Sequence, residues 1–139
     1  METQEFYANI NYLAVLVSAL VYFGIGAIWY SKALFGTAWL QMMPHIDMTK
    51  NEGMAKLMIS TFILTLICVF ITATIVSAAG ATSVGDGINL GVRLAIGFMA
   101  ATMAINYMYE SRPAKLFWIN AGYHFVGIVI SAVILSVWK

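Results

Sequence analysis

Apolar positions in this chain come in long runs rather than in alternation. Four stretches, Asn11–Tyr30, Leu57–Ala79, Ile88–Tyr109 and Ala114–Trp138, are dominated by apolar side chains, each about 20 residues or longer, the length a membrane-spanning helix needs. At a rise of about 1.5 Å per residue, each can cross a hydrocarbon core of about 30 Å. Backbone in lipid must satisfy its own hydrogen bonds. The α-helix is therefore expected even for the Ile-, Thr- and Val-rich second stretch. The segment after the first run, SKALFGTAWLQMM, is too short to span. Leu34, Phe35, Ala38 and Trp39 recur at helical spacing with Lys32, Thr37 and Gln41 between them, which predicts an amphipathic helix lying in the interface and ended by Pro44.

The connections are short. PHIDMTKNEG is the clearly polar one, and Thr49 with Glu52 offers a capping box for the second span. GATSVGDG reads as a small-residue turn, and ESRPAK as a tight link that places Pro113 in the first turn of the fourth helix. The predicted fold is all-α and integral to the membrane. It comprises four transmembrane helices and one interfacial helix, in a single domain over residues 1–139.

Composition agrees. Of the 139 residues 62% are hydrophobic and 9% charged, against roughly 25% charged in a soluble protein. A net charge of +1 gives no reason to expect a nucleic-acid partner. Cys68 is the single cysteine and falls inside an apolar run, where it reads as a small buried side chain. The amino terminus carries Glu2 and Glu5 rather than a basic region, so the first run is expected to be a retained span, not a cleaved signal. Lys32, Lys50, Lys56, Arg112 and Lys115 fall on the loops opposite the termini. This bias predicts termini on the non-cytoplasmic side, in a bacterial inner membrane. Trp29, Tyr30, Trp39 and Trp118 are expected to anchor the loop side at the interface.

His124 is the sharpest candidate for chemistry, about ten residues into the fourth span. An ionisable group at that depth usually faces a bundle interior or a water cavity. It could relay protons, bind a ligand or metal, or act as a neutral link between helices. Asn120, His124, Gly127 and Ser131 share one helix face, and Tyr123 lies beside them. Asn11, Ser18, Tyr22 and Trp29 form a stripe on the first span that could complete a polar seam with it. On the third span Met99, Met103, Asn106 and Glu110 are expected to share a face. Arg93, about one turn inside the boundary, could snorkel to a lipid headgroup or pair with Asp86. Met42, Met43, His45 and Met48 carry donors that suit a soft metal, but methionines also pack flexibly at apolar surfaces, and no metal or other cofactor is expected. No nucleophile, phosphate-loop or metalloprotease motif is present, so no enzyme activity is expected.

Two runs taken together resemble a known family. The first is Asn11-Tyr12-Leu13-Ala14-Val15, leading to Gly26-Ala27-Ile28-Trp29-Tyr30-Ser31, Leu34-Phe35-Gly36 and Ala38-Trp39. The second is Leu116-Phe117-Trp118-Ile119-Asn120-Ala121-Gly122-Tyr123-His124. The pattern is similar to the small membrane proteins of domain of unknown function 1761. That resemblance implies four spans and brings no assigned activity. Lys32 stands where that pattern carries proline, so the first helix is expected to run smoothly into the interfacial one. The leading functional expectation is a non-enzymatic membrane protein that self-associates or serves as an accessory subunit in contact with membrane lipids. The alternatives are an oligomeric small-solute or proton pathway lined by His124 and Asn120, and a lipid or hydrophobic-ligand binder using Arg93.

Overall fold

The structure is a computed structural model that describes residues 3–43 and 53–139. Helices in chain order are α1 (Thr3–Ala8), α2 (Tyr12–Trp29), α3 (Gly36–Gln41), α4 (Met54–Ala78), α5 (Val84–Leu94), a π-helical stretch Ala95–Ala100, α6 (Ala101–Tyr109) and α7 (Ala114–Val137). From α5 to α6 the chain forms one span, Val84–Tyr109. Four helices are long and apolar enough to cross a membrane: α2, α4, this composite span and α7. The predicted runs match them to within a few residues.

Ends are set by local chemistry. The Asn11 side chain accepts from the Ala14 amide at 3.0 Å and caps α2. Helix α2 does not run smoothly into α3, contrary to the expectation from Lys32. The Ser31 hydroxyl donates to the Ile28 carbonyl at 2.7 Å. Phe35 and Gly36 amides then fold back onto the carbonyls of Trp29 and Ser31, each at 3.0 Å. A Cβ on Gly36 would stand 2.3 Å from the Tyr30 carbonyl oxygen, so this reversal requires glycine. The interfacial helix is therefore short, confined to α3. The third span starts earlier than its apolar run, because Ser83 and Asp86 form a capping box. Thr49 and Glu52 lie outside the described residues, and the N-cap of α4 is Gly53 at φ 76°. Pro113 is the N-cap of α7 rather than a first-turn residue.

Helix α7 is the hub. It packs against α2, α4 and α5, and half of its most apolar window is buried, against 11% for the third span. Close approach of α5 and α7 depends on Gly87 and Gly91. A Cβ on either would lie 2.6 or 2.8 Å from the Cα of Val133 or Val129. Further along, the inward face of the third span is Met99, Met103 and Tyr107, not the predicted stripe ending in Asn106 and Glu110; those two are exposed. Positions four apart drift by about 40° per step on an α-helix. The wider turns of the π-helical stretch rotate α6 relative to α5, so a face read with one constant α-helical period does not carry across it. The Thr102 hydroxyl donates to the carbonyls of Phe98 and Met99 within that stretch.

Candidate functional site

Residues from α2, α6 and α7 build a polar and aromatic seam. Its register is antiparallel: moving toward the termini, α2 numbers fall as α7 numbers rise. Near the loop end the Trp29 indole donates to the Ile119 carbonyl at 2.9 Å. The Tyr30 hydroxyl donates to Asn120 Oδ1 at 2.7 Å, and Asn120 Nδ2 donates to the Tyr107 hydroxyl at 2.7 Å. One turn deeper, the Tyr123 hydroxyl donates to the Tyr22 carbonyl at 3.3 Å. The Tyr22 hydroxyl lies 2.7 Å from His124 Nδ1, and the tautomer of the ring decides which group donates. Tyr22 is buried and His124 half-buried. Edge-on rings fill the space between, with Tyr123 against both Tyr22 and Tyr30 at 5.4 and 5.5 Å between centroids.

The seam closes tightly because glycine sits against the rings of Tyr22, Tyr123 and Trp29. A Cβ at Gly127 would fall 2.3 Å from the Tyr22 ring, at Gly26 2.9 Å from the Tyr123 hydroxyl, and at Gly122 3.0 Å from Trp29. Ser18 and Ser131 are buried further toward the termini, and their hydroxyls have no hydrogen-bond partner among the described residues. Cys68 of α4 packs against the same core.

Of the predicted seam residues, Tyr22, Asn120, Tyr123 and His124 come together, with Ser18 and Ser131 further along the same interface. Asn11 does not join them; it caps α2 and lines a cavity of about 40 Å³ shared with Ile10, Ala73, Leu135 and Trp138. Trp29 and Tyr30 are not simple interfacial anchors, since both donate inward to α7. Trp39 packs edge-on against Tyr30 at 5.7 Å, while Trp118 is 71% exposed. Tyr107 belongs to the site although the sequence did not single it out; the signal was its four-residue spacing from Met103. Arg93 is exposed and has no ion-pair partner among the described residues. Asp86 does not pair with it, because its Oδ2 accepts the Thr82 and Ser83 amides, both at 3.1 Å. Glu110 pairs with Arg112 at 2.5 Å on the loop side, and the Arg112 guanidinium also lies 5.1 Å from the centre of the Tyr107 ring. Met42 and Met43 follow α3, whereas His45 and Met48 lie outside the described residues.

Four helices long and apolar enough to span, with side chains of α2 and α6 hydrogen-bonded to α7 between them, define an integral membrane protein. The chain belongs to the family described as protein of unknown function (DUF1761), whose match covers residues 13–136. No curated protein and no solved structure matches it.

Proposed function

We propose that this chain is a non-enzymatic membrane protein that self-associates or serves as an accessory subunit of a larger membrane assembly. The observation that carries this reading is the third span. It leans mainly on α7 and has 11% of its apolar window buried. Its exposed side carries Asn89, Arg93 and Asn106. Polar groups on a membrane helix ordinarily face protein or a water-filled cavity rather than lipid. Gly97 and Ala101 follow Arg93 at four-residue steps, are exposed, and give a backbone that a neighbouring helix can approach closely. The seam, by contrast, has Tyr22, Trp29, Tyr30, Asn120 and Tyr123 hydrogen-bonded within the chain, which suits a scaffold.

Gentle extraction into lipid nanodiscs followed by particle sizing tests this. A particle larger than one chain, converted to monomer by Gly97→Leu, is expected. A monodisperse monomer with no companion protein counts against assembly. If the same particle retains phospholipid that Arg93→Ala loses, the lipid-binding reading takes its place. The Tyr22–His124 contact favours one further reading, an oligomeric proton pathway. Equal background flux in liposomes carrying wild type or His124→Ala would remove it. We also place both termini on the non-cytoplasmic side of a bacterial inner membrane, from the distribution of basic residues. A carboxyl-terminal reporter active only in the cytoplasm should then stay silent.

A further inference from the structure

A groove opens where the reversal after α2 meets the first turns of α7. Phe35, Lys115, Trp118 and Ile119 line it, and its volume is about 530 Å³. Small-molecule sites run to roughly 300–1,000 Å³. The groove is open on one side and its lining is almost wholly apolar. Lys115, Trp118 and Ile119 are three and four residues apart and share one face of α7. Phe35 supplies the other wall. The Trp29 ring holds the two walls together: its centre lies 4.9 Å from that of Phe35, and its indole donates to the Ile119 carbonyl at 2.9 Å. Gly36 allows the reversal that presents Phe35. The fold therefore builds this groove in advance of any ligand.

Depth and charge select the occupant. Helix α7 is long and apolar enough to span and begins at Ala114, so Lys115 stands at its membrane boundary. A lysine there lays its methylenes along apolar surface and carries its ammonium to headgroup level. Lys115 has no carboxylate partner among the described residues, because Glu110, the acidic residue nearest in the chain, pairs with Arg112. We propose that this groove binds one anionic phospholipid of the loop-side leaflet, with its phosphate at Lys115 and an acyl chain between Phe35 and Trp118. The apolar walls accept a chain. The ammonium favours an anionic headgroup over a zwitterionic one, whose own cation offsets its phosphate. A second copy of this chain in the same orientation would bring Lys32, Lys56, Arg112 and Lys115 against Glu110 alone among its described loop-side charges, and like charge opposes it. Arg93 lies toward the other end of the bundle, so the groove is a separate site. It holds whether or not the chain assembles.

Native mass spectrometry of the full chain, released from nanodiscs of equal phosphatidylglycerol and phosphatidylcholine, tests this. The wild type should retain phosphatidylglycerol in several-fold excess over phosphatidylcholine. Lys115→Gln, at an exposed side chain, should bring the ratio close to one. Lys56→Gln is the matched control, since it removes an exposed lysine from the first turn of α4 on the same side. It should keep the wild-type ratio, and so should Arg93→Ala. Equal retention of the two lipids by the wild type would overturn the proposal. A loss in Lys56→Gln or Arg93→Ala as deep as in Lys115→Gln would also overturn it, by making the preference a property of surface charge at large. Phosphatidylglycerol with a photoreactive diazirine on its acyl chain should label the peptides that hold Phe35 and Trp118. Labelling spread evenly over the four spans would overturn the groove without recourse to any variant.

Discussion

Side chains on the α2–α7 seam are coupled in pairs and triplets, so single substitutions should not act alone. Tyr22→Phe removes the hydroxyl from His124 Nδ1 and leaves a ring nitrogen without its partner inside the bundle. Interhelical hydrogen bonds in membranes contribute about 0.6 kcal/mol on average and up to about 1.7. The expected loss is in that range, read by reversible unfolding in mixed micelles. Asn120 joins Tyr30 to Tyr107, so Asn120→Leu should destabilise more than either Tyr30→Phe or Tyr107→Phe. A double-mutant cycle between Tyr30 and Tyr107 should show coupling that disappears in the Asn120→Leu background. Additive effects in all backgrounds would mean the three residues do not act as a network.

Among the elements, the third span owes its place to two glycines and to its π-helical stretch. Gly91→Leu puts a side chain where the Val129 backbone already lies. Overpacking of this kind costs about 1–3 kcal/mol, and it should also weaken a disulfide cross-link engineered between α5 and α7 in a Cys68→Ser background. Gly97→Leu is the matched control, since a Cβ there meets nothing within 4 Å. Its unfolding midpoint should stay at the wild-type value when both are measured as dissociated monomers in mixed micelles. The same reasoning explains why Gly87 and Gly91 escaped the sequence reading. They lie in GDGINLGV, which looked like turn and boundary, yet glycines four apart are a helix-contact pattern wherever a helix contains them. The capping box of Ser83 and Asp86 made that segment helical and extended the span.

At the scale of the molecule, α7 is surrounded and the third span is not. A bundle of this shape leaves one long helix leaning chiefly on one neighbour, with polar groups turned away from it. The contrast between Gly91 and Gly97 separates folding from assembly. Gly91→Leu should lower stability of the isolated chain, and Gly97→Leu should alter only particle size. Sizing and unfolding measured on the same preparations check both. A Gly97→Leu protein that unfolds earlier than wild type with both held as monomers would show that this face is needed for the fold itself.

The amino-acid sequence alone determined the four spans and the all-helical class, because lipid admits no open backbone and 20-residue apolar runs have few alternatives. It also marked Tyr22, Asn120 and His124, since polar residues inside such runs are few. Only tertiary structure decided which of these meet. Whether Trp29 and Tyr30 point to the interface or into the bundle depends on the neighbour that accepts their protons, and Ile119 and Asn120 lie some ninety residues away in the chain. The same holds for Tyr107, whose hydroxyl accepts from Asn120 on α7. Periodicity assumes a fixed angle per residue, and a change in that angle within one helix leaves no mark in the apolar pattern.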